Sequence, residues 1–187
     1  MSPPNAQQLL GFLRNPSKSL PALGMVHDQK TGRFIKYDPK RLTENFQKDI
    51  LEYTSDPPRT KEGQTRFLTV LTARQMGKSL CSEYAFYPKA AYSPGWDHVC
   101  IADTTDRAEY LHKRVHHLHT RWPEEVRSRT VHSRESRQLT FRPLEGGKMR
   151  VLSAESGSVG VGQSPDSFHT SECAFWADFA GSMFLIW

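Results

Sequence analysis

Residues Thr69–Ser79 read TVLTARQMGKS, an apolar run that ends in a short loop and then Gly77-Lys78-Ser79. That order predicts a strand, a phosphate-holding turn and the start of a helix. Each closing residue has a task in such a turn. Gly77 lets backbone N–H groups close on an anion, Lys78 reaches terminal phosphates, and Ser79 presents a hydroxyl to Mg²⁺. The helix that follows adds its positive N-terminal end to the same place. The usual loop opens with Gly six positions before the Lys, where this chain has Thr72. A Gly-Lys-Ser triplet alone also occurs by chance at helix starts, so the flanking strand and helix give it its weight.

The chain beyond this stretch alternates strands with helices. Asp38-Pro39 supplies a cap and a first-turn proline, and Leu42, Phe46, Ile50 and Tyr53 recur at helical spacing, predicting a helix over Arg41–Tyr53. After a Pro57-Pro58 linker come the strand Arg66–Thr72, the helix Lys78–Ala90, a turn at Ser93-Pro94-Gly95, the strand Asp97–Ala102 and the helix Asp106–Thr120. A polar stretch runs to Ser136. Strands at Gln138–Phe141 and Lys148–Ser153 then form a hairpin across Pro143–Gly147, and a last strand, Ser167–Thr170, leads into Ser171-Glu172. This order predicts an α/β fold with a mostly parallel sheet covered by helices, whose ligands sit beyond the carboxyl ends of the strands. Residues 1–36, with Pro3-Pro4, Pro16 and Pro21, read as a loosely structured leader, and 37–187 as one domain.

Bulk composition narrows the classes. A chain of 187 residues with 37% hydrophobic content and mean hydropathy of −0.62 is long enough for one core and polar enough for a soluble protein. No run approaches the roughly 18 apolar residues of a membrane span, and the first residues lack the pattern of a secretion signal. Three widely spaced cysteines, Cys81, Cys100 and Cys173, exclude a disulfide framework and a compact zinc knuckle, and read as buried thiols in a reducing compartment. The net charge of +5 is concentrated. Between Arg107 and Arg150 there are 11 Lys/Arg against 5 Asp/Glu, along with His112, His116, His117, His119 and His132. Such a block suits a nucleic-acid backbone and equally suits a solvated helix. His116 and His117 fall on different helix faces, with no Cys or carboxylate at local ligand spacing, so the histidines read as poor metal ligands.

An ATP site also needs a carboxylate to orient the attacking water, and Glu172, directly after a strand, is placed for that. Ser171 stands where an Asp would hold the metal shell, and its hydroxyl can hold a metal-bound water more weakly. Arg74, inside the loop, could clamp a γ-phosphate. Gln47 could meet the edge of adenine through an amide that both donates and accepts. Taken singly, Glu172 could be a helix cap, Arg74 a solvated loop residue and Gln47 a surface residue.

As a set, Phe46-Gln47 with Ile50-Leu51, Arg74-Gln75-Met76-Gly77-Lys78-Ser79, the Asp103–Ala108 turn and Glu172-Cys173-Ala174-Phe175-Trp176 resemble the large subunit of phage DNA-packaging terminases, over roughly Asp38–Asp178. Members of that family also lack the first loop glycine and carry Arg near the Gly-Lys. The resemblance implies a P-loop NTPase (RecA-like) fold and a Mg²⁺-dependent, DNA-dependent ATPase in the host cytoplasm. It would drive double-stranded DNA into a procapsid as one subunit of a homo-oligomeric ring, with a portal protein and a small terminase subunit as partners. On that reading Thr72, Ala73, Arg74, Gln75, Met76, Gly77, Lys78 and Ser79 form the nucleotide loop, Ser79 and Ser171 face the metal, Glu172 is catalytic with Arg74, and Gln47 meets adenine. An arginine acting in trans would come from Arg107, Arg121, Arg127 or Arg129. The family's coupling strand and nuclease domain have no counterpart before Trp187, so the resemblance implies a fragment with its sheet incomplete at the C-terminus. A helicase-like translocase, or a remnant that binds nucleotide or a partner without turnover, would use the same residues.

Overall fold

The residues described by the computed structural model are 6–27, 31–37, 45–55, 68, 70, 78–127, 130–133, 137–142, 146–156 and 164–171. Burial and sheet pairing start from β3 (Asp97–Ala102), whose Val99–Ala102 run is almost wholly buried. It lies between two parallel partners, β6 (Lys148–Ser153) and β7 (Ser167–Thr170). Cys100 stands opposite Val151 on one side and His169 on the other. β6 continues through antiparallel β5 (Gln138–Phe141) to β4 (Thr130–Ser133), giving the order β4-β5-β6-β3-β7. The α/β class is as the sequence predicts, and the sheet is mixed because β4, β5 and β6 form a meander beside the parallel strands.

Two long helices cover one face. α5 (Thr105–Arg121) buries Ala108, Leu111, Val115 and Leu118, a spacing of three and four that presents one stripe to the sheet. Thr104 caps it by accepting from the Arg107 N–H, Asp106 lies in the first turn, and Arg121 ends it, each matched to the helix dipole. α4 (Lys78–Tyr92) buries Leu80, Cys81, Tyr84, Tyr87 and Ala91 in the same core as Leu139, Phe141 and Met149 of the sheet. Pro88 lies inside α4 and removes one rung of its hydrogen-bond ladder. Burial of Trp122, just beyond α5, closes the core; its indole N–H donates to Tyr92 Oη at 3.1 Å, and Tyr87 meets its ring edge-on at 5.0 Å.

The strands at 97–102, 138–141, 148–153 and 167–170 coincide with those read from the sequence. The turn at Ser93–Trp96 does so too, with Gly95 at φ +74° supplying the left-handed position after Pro94. The N-terminal part differs from the loose leader expected. Residues 6–36 hold α1 (Ala6–Arg14), α2 (Pro16–Leu23) and a small antiparallel pair, β1 (Met25–His27) and β2 (Phe34–Lys36). The prolines misled the reading because Pro16 opens a helix, where a missing N–H costs nothing. Leu20 of α2 is fully buried, and the Arg14 guanidinium donates to the Tyr92 carbonyl at 2.7 Å, so this segment is docked on α4. Two further elements fall in the stretch read as polar and irregular: β4 and a short helix, α6 (Glu124–Arg127). Thr-Val-His-Ser in β4 carries no apolar run; it becomes a strand by pairing with β5 at the sheet's edge. α3 spans Asn45–Ser55, within and just past the helix expected at Arg41–Tyr53, whose first four residues lie outside the described ones. All of the strand expected at Arg66–Thr72 except Leu68 and Val70, and the C-terminal edge expected to be incomplete, lie outside the described residues.

Candidate functional site

Two of the residues read as a site, Ser79 and Ser171, meet where α4 begins and β7 ends. Lys78 is the first residue of α4, and the helix dipole points its positive end there. Ser79 is half-buried, and its Oγ lies 2.8 Å from Oγ of Ser171. Ser171 directly follows β7 and is buried; its N–H donates to the Ile101 carbonyl at 2.8 Å, extending the β7–β3 pairing by one residue. Thus the two serines assigned to the metal, far apart in sequence, share one position at the carboxyl end of the sheet.

Two carboxylates to which the sequence gives no role stand at the neighbouring strand ends. Asp103 follows β3 and accepts from Arg107 Nη1 at 2.8 Å, while its Oδ1 is buried with no hydrogen-bond partner among the described residues. Glu155, just past β6, accepts from the Thr105 backbone N–H and from its hydroxyl, both at 2.9 Å. The Thr105 N–H, then its hydroxyl, hold this exposed carboxyl below its ordinary value. Asp103 immediately follows the apolar β3 and Glu155 lies two residues past β6, and an acid at a strand's carboxyl end is the signal that could have found them.

The remaining candidates divide between α3 and α4, the undescribed segments, and the surface. Gln47 is on α3 and Lys78 opens α4. Thr72, Ala73, Arg74, Gln75, Met76, Gly77 and Glu172 lie outside the described residues. Among the arginines considered for a trans role, three already have internal partners. Arg107 is paired with Asp103, Arg121 stacks over the Phe34 ring at 4.1 Å, and Arg127 binds the Trp122 carbonyl and Glu124. Arg129 lies outside the described residues. The histidine block gives no metal group among the described residues: His119 Nδ1 is spent on Tyr87 Oη at 2.8 Å in the core.

No protein-family profile matches the chain, and no functionally curated protein matches it. Solved structures do. The HK97 bacteriophage large terminase superposes with a TM-score of 0.67 at 16% identity, over 93% of this chain and 34% of that one. The ATPase domain of the Thermus phage P74-26 large terminase gives 0.50 at 24% identity, over 60% of this chain and 50% of that one. At these identities the likeness establishes the fold. The chain has the α/β fold found in phage large terminases, in agreement with the resemblance carried by its motifs, and it spans a third to a half of the length of these two proteins. Among the described residues no helix is long and apolar enough to cross a membrane.

Proposed function

We propose that this chain supplies the ATP-hydrolysing module of a terminase-type DNA-packaging motor. The observation that carries the reading is the 2.8 Å contact between Ser79 and Ser171. It joins the phosphate-loop helix to Ser171, the residue between β7 and the proposed catalytic carboxylate, within a terminase-like fold. Two neutral hydroxyls at a helix N-terminus fit Mg²⁺, which is held by few protein ligands and keeps most of its shell for water and phosphate oxygens. When bound, Mg·ATP supplies the phosphoryl group and the charge that the site must neutralise.

The chain's own residues then have separable tasks. Lys78 and the N–H groups of Thr72–Gly77 bind the phosphates, with Arg74 neutralising charge on the terminal one. Ser79 and Ser171 hold the metal shell, and Gln47 reads the adenine edge. Glu172 orients the attacking water and accepts its proton. The excess of basic residues between Arg107 and Arg150 supports contact with a duplex backbone. The partners on this reading are double-stranded DNA, a portal protein, a small terminase subunit and further copies of the chain in a ring, in the host cytoplasm. The test is Glu172→Gln: Mg·ATP binding should persist while DNA-stimulated phosphate release falls at least roughly a hundredfold, within the range for loss of a general base. Turnover at the original rate would assign the proton to another residue.

A further inference from the structure

One turn along α4 from the serine pair lies a polar group that the function above does not use. Glu83 on α4 is 1% exposed and faces the sheet, where it meets His98 and Cys100 of β3 and His169 of β7. Strand geometry brings these together: His98 and Cys100 are two apart on one strand and so share a face, and Cys100 is paired in register with His169. One Glu83 oxygen accepts from His169 Nδ1 at 2.8 Å and stands 3.7 Å from His98 Nε2. Cys100 Sγ is 3.7 Å from His169 Nδ1. The donor atoms of Glu83, Cys100 and His169 all lie within 4.8 Å of one another.

Two atoms in this group are orphaned. Glu83 Oε2 and His98 Nε2 are buried and have no hydrogen-bond partner among the described residues. A carboxylate oxygen left unpaired in a core costs free energy that nearby apolar packing does not return. Burial favours the neutral acid, yet His169 and His98 outweigh it and keep the Glu83 carboxyl far below its ordinary range. Glu83 Oε2 therefore has lone pairs to spare within the core. We propose that Glu83, Cys100 and His169 bind a borderline-soft divalent cation of the Zn²⁺ class, with His98 flanking them, and that the ion ties α4 to β7.

The geometry and the donor types agree on this. Zn–N, Zn–O and Zn–S bonds of about 2.0–2.3 Å put tetrahedral ligand atoms about 3.3–3.6 Å apart. The Cys100–His169 separation of 3.7 Å is close to that, and the 2.8 Å hydrogen bond between His169 and Glu83 has to open. A mixed thiolate, imidazole and carboxylate set selects Zn²⁺ over Mg²⁺. An outer shell is in place as well: His98 Nδ1 is 2.9 Å from Ser167 Oγ, which also accepts from the Trp96 indole at 3.2 Å, and the His98 ring stacks on Phe86 at 4.2 Å. On binding, Cys100 releases its thiol proton to water, and His169 carries its hydrogen on Nε2 so that Nδ1 can ligate.

The test uses Co²⁺ as a spectroscopic substitute on chelator-treated protein. The unmodified chain should take up one Co²⁺ with a near-ultraviolet thiolate-to-cobalt band. Cys100→Ser should lose that band, Cys81→Ser should keep it, and His169→Gln should lose stoichiometric uptake. Absence of uptake by the unmodified chain, or a band that survives Cys100→Ser, would overturn the proposal. Should the variants fail to fold, the unmodified chain decides alone. Zn²⁺ at one equivalent should raise its Tm where the same amount of Mg²⁺ does not, and an unchanged Tm would reduce the group to a buried Glu83–His169 ion pair.

Discussion

Ser79 Oγ and Ser171 Oγ lie 2.8 Å apart across 92 residues of chain, joining the first turn of α4 to the carboxyl end of β7. A hydroxyl pair so placed is neutral and can turn from each other to a cation at little cost. Ser79→Ala should therefore weaken Mg·ATP binding by roughly tenfold, the scale of a hydrogen bond to a charged group. Ser171→Ala should weaken it less. The double variant should fall short of the product of the two, because both act on one ion. Titration calorimetry of the three variants checks this, and full additivity would separate the serines into different sites.

Gly147 sits where β6 approaches the turn after α4. A Cβ added there would meet the Trp96 carbonyl oxygen at 1.8 Å, and Gly147 N–H already donates to the Ala90 carbonyl at 2.7 Å. Backbone crowds backbone, so no side chain can yield. Gly147→Ala should destabilise the fold by roughly 2 kcal/mol or more, at the upper end of overpacking costs. Urea unfolding monitored by circular dichroism would show the midpoint fall without a change of slope.

Trp122 anchors the end of α5 against Tyr87 and Tyr92. Trp122→Ala should cost about 3–5 kcal/mol, as for other large buried aromatics. Trp122→Phe should recover most of the packing while leaving the Tyr92 hydroxyl without its indole donor. Thermal unfolding of the pair separates the two contributions.

The alkaline limb of stability should depend on Cys81. Burial pushes its thiol up to about 11 from 9.0, against the opposing hydrogen bond from the Tyr37 hydroxyl 3.6 Å away. The folded state then holds a proton that the unfolded chain releases, so stability falls as pH rises. The contribution is fully present below about pH 9 and is lost by about pH 11. It is worth roughly 2–3 kcal/mol at most. Cys81→Ser should flatten the profile over that interval in denaturation curves taken across it.

Much of this architecture is written locally. The strands at Asp97, Gln138, Lys148 and Ser167 are apolar or alternating segments bounded by turn residues, and those signals place them to the residue. The Ser93–Gly95 turn is legible for the same reason, since Pro and Gly at those positions encode it. What failed was structure that depends on distant partners. α2 reads as loop because of its prolines, and it exists because Leu20 finds the α4 core. β4 is polar and exists because β5 offers it an edge.

The candidate site divides in the same way. Ser79 is legible from the Gly-Lys-Ser turn, and Ser171 from its place before Glu172 at the end of the last strand. Asp103 and Glu155 went unassigned because an acid after a strand is common, and only the structure shows that Asp103 Oδ1 is buried and Glu155 engages Thr105. The Glu83–Cys100–His169 group was invisible for a stronger reason. Its members come from three elements, so no local spacing betrays them.

The central claim is that the loop ending in Gly77-Lys78-Ser79 binds Mg·ATP. Titration calorimetry of the chain beside Lys78→Ala tests it most directly. The account predicts saturable Mg·ATP binding by the unmodified chain, weakened beyond detection in Lys78→Ala, with both proteins showing the same far-ultraviolet circular dichroism. Equal affinity in the two proteins would contradict it, since the phosphates would then rest on something other than this loop.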